Sequence, residues 1–223
     1  MTAIVLQARI DSTRLPGKAL LNIEDKPILF HVMEALNHVK ADDRILACSE
    51  DSLSAFEPIA AECGFKIFAG PKEDVLERYC QVIRKYSINR VIRATGDNPF
   101  VFADAAEAIN SEAVSLNADY AGYLNLPYGA GVESVAASAL LLAAKDANTF
   151  EREHVCPYLY NNPEKFKVHR PEAPEQWRFP DIRLTIDTQV DFERAKDLYN
   201  LLKNVPQRYN GDIIINKYLE IFH

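Results

Sequence analysis

Three cations, two hydroxyls and a glycine crowd one short stretch near the start of the chain: Gln7-Ala8-Arg9-Ile10-Asp11-Ser12-Thr13-Arg14-Leu15-Pro16-Gly17-Lys18. Arg9 and Arg14 carry planar forks of N–H donors, and Lys18 carries a compact ammonium. Gly17 lets backbone N–H groups come close to a ligand. That combination suits a polyphosphate. It is not a P-loop, which needs Gly where Ser12 stands and Ser or Thr where Ala19 follows Lys18. A dinucleotide fingerprint is excluded as well, because the stretch has a single glycine. Two carboxylates stand apart from it, Asp97 in Thr95-Gly96-Asp97-Asn98-Pro99 and Asp187 directly after Ile182–Ile186. An aspartate at the end of a buried strand is costly unless it meets a cation or several donors. A converging pair would suit Mg²⁺, which takes one or two carboxylates and fills its shell with phosphate oxygens and water. Taken singly, each also reads as a turn or cap, and Asp187 could cap a helix beginning near Val190.

The elements that must position these groups alternate. Thr2–Ala8 is an apolar, β-branched run that reads as a buried parallel strand. The pattern then predicts a helix from Pro27 to about Val39, a strand over Arg44–Cys48, a helix over Asp51–Cys63 closed by Gly64, and a strand over Gly64–Ala69. A helix over Lys72–Tyr86 and a strand over Arg90–Ala94 follow. Such alternation means βαβ units, right-handed crossovers and a mostly parallel sheet, whose ligands sit beyond the carboxyl ends of the strands. The expected fold is therefore α/β with a mostly parallel, twisted sheet. In the second half the expectations are helices over Ala105–Val114 and Ser134–Lys145, a short strand near Tyr120, a loop over Asp119–Gly131, and a helix over Glu151–Asn161. Strands over Phe166–Arg170 and Asp181–Ile186, a helix over Val190–Leu202 and a terminal helix after Val205 complete the reading. With 223 residues the length fits one domain, residues 1–115 forming a nucleotide-binding half and 116–223 an acceptor-binding, metal-completing half.

The net charge of −7 argues against a general nucleic-acid binder, so an anionic ligand needs a local basic cluster such as the one at residues 9–18. No apolar run near the start is long enough for a signal peptide or a membrane span. Cys48, Cys63, Cys80 and Cys156 are scattered and read as small buried hydrophobes in a reducing compartment, which makes the expected location cytoplasmic.

The run A-R-I-D-S-T-R-L-P-G-K-A-L resembles the N-terminal signature of the sugar cytidylyltransferases, the group of the CMP-Kdo and CMP-sialic acid synthetases and the shorter spore-coat-polysaccharide type. Gly96-Asp97-Asn98-Pro99 resembles that family's G-D-x-P. Ile186-Asp187-Thr188 through Asp191-Phe192-Glu193 resembles its D-T-x-x-D-x-E segment, about ninety residues further on and in the right order. Glu73–Tyr79 resembles the D-V-L-x-R-Y run of the spore-coat type, and Glu151–Val155 its R-E-H-V. The resemblance implies a nucleotide-diphospho-sugar transferase fold and the reaction CTP + sugar → CMP-sugar + pyrophosphate. It implies that Arg9, Arg14 and Lys18, with Ser12 in the same loop, hold the triphosphate, and that Leu6 and Ala8 lie near the base. It also implies that Asp97 and Asp187 bind the catalytic Mg²⁺, and that the acceptor, by resemblance alone, is an acidic nonulosonic or ulosonic sugar. The family is often dimeric, so the resemblance also allows a homodimer.

Asp74 could bond a ribose hydroxyl or cap its helix, and Arg78 could meet substrate or form a surface ion pair. Tyr128 and Glu133 stand in the expected acceptor loop, where Gly131 replaces the acidic residue of the spore-coat type. His154 has no nucleophile or metal-spaced partner and reads as structural. Trp177 fits a stacking contact or a buried anchor. Three other readings remain: a nucleotidyltransferase using another base, a glycosyltransferase using a finished nucleotide-sugar, and a non-catalytic subunit with a relic site. The second would more often carry a D-x-D after the fourth strand, and the third is at odds with intact Lys18, Asp97 and Asp187.

Overall fold

The structure is a computed structural model and describes residues 1–222. Its strands are β1 (Thr2–Ala8), β2 (Asn22–Ile23), β3 (Lys26–Pro27), β4 (Asp43–Ser49), β5 (Lys66–Gly70), β6 (Arg90–Thr95), β7 (Tyr120–Ala121), β8 (Glu133–Ala136) and β9 (Val168–His169). Its helices are α1 (Ile28–Asn37), α2 (Leu53–Glu62), α3 (Val75–Tyr86), α4 (Ala103–Ser115), α5 (Ala137–Ala143), α6 (Thr149–His154), α7 (Pro157–Tyr160), α8 (Gln189–Leu202) and α9 (Gly211–Phe222).

A seven-stranded sheet runs in the order β5-β4-β1-β6-β8-β7-β9, with β2 and β3 as a separate small pair. Pairing is parallel from β5 through β6, and β8 alone runs against its neighbours. The expected mixed α/β architecture with a mostly parallel sheet is the one observed. β1 lies at the centre of the parallel half, and its residues alternate between two cores as the two-residue period of a strand requires. Ile4 and Leu6 pack with α1, α4 and α8, whereas Ala3 and Val5 pack with α3 and α5. Apolar burial on both faces is why β1 reads as an unbroken hydrophobic run.

Three expectations fail in the second half. The stretch from Ser134 begins not as helix but as β8, which pairs with β6 (Arg93↔Glu133, Val91↔Val135) before α5 starts at Ala137. Alanine and leucine are good helix formers, but ladder bonds to β6 and the fully buried Val135 override propensity over these four residues. The predicted helix over Glu151–Asn161 is two short helices, broken where Val155 takes φ 73° and Pro157 starts the second. Asp181–Ile186 is extended but joins no sheet. It lies along the 127–130 loop through Ile182 O, Leu184 N and Thr185 N, all bonded to the backbone of Tyr128, and Ile186 N donates to Asp97 O at 2.9 Å.

All four cysteines are free thiols; Cys48, Cys80 and Cys156 are buried and Cys63 is half-buried. Burial pushes the thiols of Cys48, Cys63 and Cys80 up to about 11, which suits inert packing groups. Among the described residues no helix is long and apolar enough to cross a membrane.

Candidate active site

The register sets the site. Gln7 lies beside Thr95, so the loops leaving β1 and β6 emerge side by side at the carboxyl edge of the sheet. The first loop is pinned by Ile10 N donating to Ser52 Oγ at 3.0 Å and by the turn Lys18 N to Leu15 O at 3.2 Å. Gly17, at φ 66°, supplies the left-handed residue that reverses the chain into a single 3₁₀ turn, Lys18–Leu20. Arg14 is left with 64% of its side chain exposed and Arg9 with 45%, while Lys18 is drawn inward to 14%.

Lys18 reaches the two aspartates singled out by sequence. Its ammonium donates to Asp97 Oδ2 at 2.9 Å, to Asp187 Oδ1 at 2.9 Å and to the Ile186 carbonyl at 2.7 Å. Arg14 Nη2 stands 3.0 Å from the same Asp187 oxygen. Residues 79 and 169 positions from Lys18 therefore meet at one point. Asp187 is not the helix cap. Thr188 is the N-cap of α8, forming a capping box with Asp191, which leaves the Asp187 carboxylate free for the cleft.

Arg183 locks that carboxylate from behind, with Nη2 donating to Asp187 Oδ2 at 2.7 Å and Nε to Asp191 Oδ1 at 2.9 Å, its guanidinium 5.0 Å from the Tyr128 ring. Burial pushes the Asp187 carboxyl up, but Lys18, Arg183 and Arg14 outweigh it and hold the group below the usual carboxylate range. Arg183 is a positioning residue that the sequence reading missed. Arg183→Met keeps the stem beneath Tyr128 and removes both ion pairs. If Asp187 holds a metal, the change should cost about 10–100-fold in turnover or in the metal concentration needed for half-maximal turnover, as loss of a group orienting a ligand usually does. Unchanged metal dependence would show that Asp187 needs no such support.

The cleft around this point has a volume of about 500 Å³. Of the expected residues, Ala8, Arg9, Ser12, Arg14, Lys18, Arg78, Asp97, Tyr128 and Asp187 line it; Leu6, Asp74 and Glu133 do not. Leu6 is fully buried in the core. Asp74 caps α3, accepting from Glu77 N at 2.9 Å, and pairs with Arg152 Nη1 at 2.5 Å. Glu133 is committed to Arg93 and to the Tyr120 hydroxyl, which donates to it at 2.8 Å. Arg78 is no surface ion pair. It is 2% exposed, and its guanidinium is spent on the carbonyls of Pro71, Lys72 and Ala47, so it braces the turn ahead of α3.

Gln7, Arg93, Asn98, Gly129, Glu153 and His154 also line the cleft, none of them assigned a binding role from the sequence. The R-E-H-V segment was visible in the sequence. What brings His154 to the wall is the turn at Val155, where Cys156 N donates to His154 O at 3.0 Å. Gly129 (φ 96°) lies so close to Thr185 that an added Cβ would stand 2.6 Å from its amide nitrogen, so only glycine lets the extended segment before Asp187 dock here. Trp177 is buried, its ring 6.2 Å from Tyr123, and stands outside the cleft.

Comparison with known proteins places this geometry. The sequence profile described as cytidylyltransferase matches residues 3–214. The spore coat polysaccharide biosynthesis protein SpsF of Bacillus subtilis is 37% identical over 220 residues, covering 94% of this chain and 91% of that protein. Among solved structures, a cytidylyltransferase from Leptospira borgpetersenii superposes with a TM-score of 0.88 at 27% identity, covering 98% of this chain and 94% of that one. A CMP:2-keto-3-deoxy-manno-octonic acid synthetase complexed with CTP superposes with a TM-score of 0.70 at 17% identity, covering 90% of this chain and 98% of that one, a likeness of fold. A profile match across almost the whole length, over a cleft that gathers the signature cations and both aspartates, shows that the chain belongs to the cytidylyltransferase family.

Proposed function

We propose that this cytidylyltransferase activates an acidic sugar of the nonulosonic or ulosonic class for polysaccharide synthesis, joining it to CTP to give a CMP-sugar and pyrophosphate. The observation that carries the reading is the meeting of Lys18, Arg14, Asp97 and Asp187 at one point of the cleft. The likeness to a spore coat polysaccharide biosynthesis protein supports the sugar-activating role. The four unpaired thiols suit a reducing, cytoplasmic setting.

In this reading a sugar oxygen attacks the α-phosphorus in line with the departing pyrophosphate, and the protein contributes chiefly position and charge. Arg9, Arg14 and Lys18 hold the triphosphate and neutralise charge as pyrophosphate leaves. Tyr128 and His154, on the cleft wall, offer a hydroxyl and an imidazole to the sugar. The donor set fits a divalent ion. Two carboxylates already converge on one cation, the Lys18 ammonium, and Mg²⁺ needs no more from a protein when phosphate oxygens and water complete its shell. Asp97 and Asp187 would hold it, and it would polarise the α-phosphate.

The test is release of pyrophosphate from CTP and Mg²⁺ with a panel of acidic and neutral sugars. Release with an acidic sugar alone is expected. Release only with neutral sugars would overturn the acceptor class, and no release with any would overturn the reading. Transfer from a finished nucleotide-sugar without pyrophosphate would favour a glycosyltransferase instead.

A further inference from the structure

Lys18 sits between two carboxylates rather than beside one. Its three N–H donors are all used, on Asp97 Oδ2, Asp187 Oδ1 and Ile186 O, each within 2.9 Å. The ammonium therefore already fills the space between the two carboxylates that would hold a divalent ion, and two cations cannot share it. The surrounding charges also balance: Lys18, Arg14 and Arg183 face Asp97, Asp187 and Asp191, three against three. A bare divalent ion would thus find a carboxylate pair that is both occupied and neutralised.

A triphosphate changes this balance. Its oxygens offer the Lys18 ammonium and the exposed Arg14 guanidinium stronger anionic partners, and an ammonium that turns toward them leaves the carboxylates open. We propose that Lys18 is a placeholder for the metal. It closes the Asp97–Asp187 pair to free divalent ions and yields it only when a polyphosphate draws the ammonium away. Metal and nucleotide then bind as a coupled pair, each raising the affinity for the other by the same factor. This inference rests on the reading above that these two aspartates hold the metal.

The experiment is titration with Mn²⁺ alone, followed by its electron paramagnetic resonance signal, without nucleotide. It uses the wild-type protein, Lys18→Met and Lys18→Gln, each confirmed folded by circular dichroism, and Lys18→Met combined with Asp97→Asn. The expected result is weak Mn²⁺ binding by wild type, at least tenfold tighter binding of one ion by either single variant, and loss of that gain in the double variant. Equal affinity in wild type and both single variants would overturn the proposal. So would low-micromolar Mn²⁺ binding by the wild type without nucleotide, a result that needs no variant. A gain that survives Asp97→Asn would put the ion elsewhere and overturn the metal reading too. A further pair of titrations, wild type and Asp97→Asn with CTP present, separates the two readings: if wild type binds Mn²⁺ there and Asp97→Asn does not, but the Lys18 variants show no gain without nucleotide, the metal reading stands and the placeholder role fails.

Discussion

Asp97→Asn is expected to lower metal-dependent turnover on the order of 10³-fold while the protein unfolds within about 2 °C of wild type. The size follows from what a divalent ion supplies to a transferring phosphoryl group, several kcal/mol of charge stabilisation, at about 1.4 kcal/mol per tenfold in rate. The small change in stability follows from the position of Asp97. Its backbone carbonyl, which accepts from Ile186 N at 2.9 Å, survives the substitution, and its side chain is partly exposed at the edge of the sheet rather than in the core. Asparagine keeps the shape and one acceptor for Lys18, so only the charge is removed. Steady-state turnover against Mg²⁺ concentration, with a melting curve, checks both halves. Unchanged turnover would remove Asp97 from the metal.

Lys18→Ala is expected to cost about 2–4 kcal/mol of transition-state stabilisation, roughly 30- to 10³-fold in kcat/KM, as loss of one preorganised charge contact does. The ammonium lies at the cleft, within 2.9 Å of Asp97, Asp187 and the Ile186 carbonyl, and would turn from the two carboxylates to meet the phosphates. The variant should keep its requirement for metal, which sets it apart from Asp97→Asn. Competition by inorganic pyrophosphate gives a second measure, with the inhibition constant rising along with the loss in kcat/KM. A wild-type rate would remove Lys18 from the phosphate site.

Most of the site was legible because its signals are local. A buried strand announces itself by composition, and the loop of Arg9, Arg14 and Lys18 follows it without interruption, so topology alone puts those cations at the ligand edge. The aspartates were legible for the same reason, each at the end of an extended stretch. What escaped depends on pairing. Glu133 stood in a plausible acceptor loop, but the β6–β8 register sets it opposite Arg93 and consumes its carboxylate. β8 escaped because Glu-Ser-Val-Ala carries too few residues to declare a period. Arg183 escaped because four residues along an extended chain predict no contact, whereas docking on Tyr128 folds Arg183 back onto Asp187. Arg78 read as a substrate contact or a surface ion pair because nothing in its own helix reveals the three carbonyls that surround it.

Thermal unfolding with each of the four nucleoside triphosphates, with and without Mg²⁺, tests most directly whether this cleft is a CTP site. A ligand at a hundred times its dissociation constant adds about 2.7 kcal/mol, which in a domain of this size raises the midpoint by roughly 5–10 °C. That rise is expected with CTP and Mg²⁺, with little from the other three, and it should be lost in Asp97→Asn. No rise with CTP, or an equal rise with all four nucleotides, would contradict that expectation.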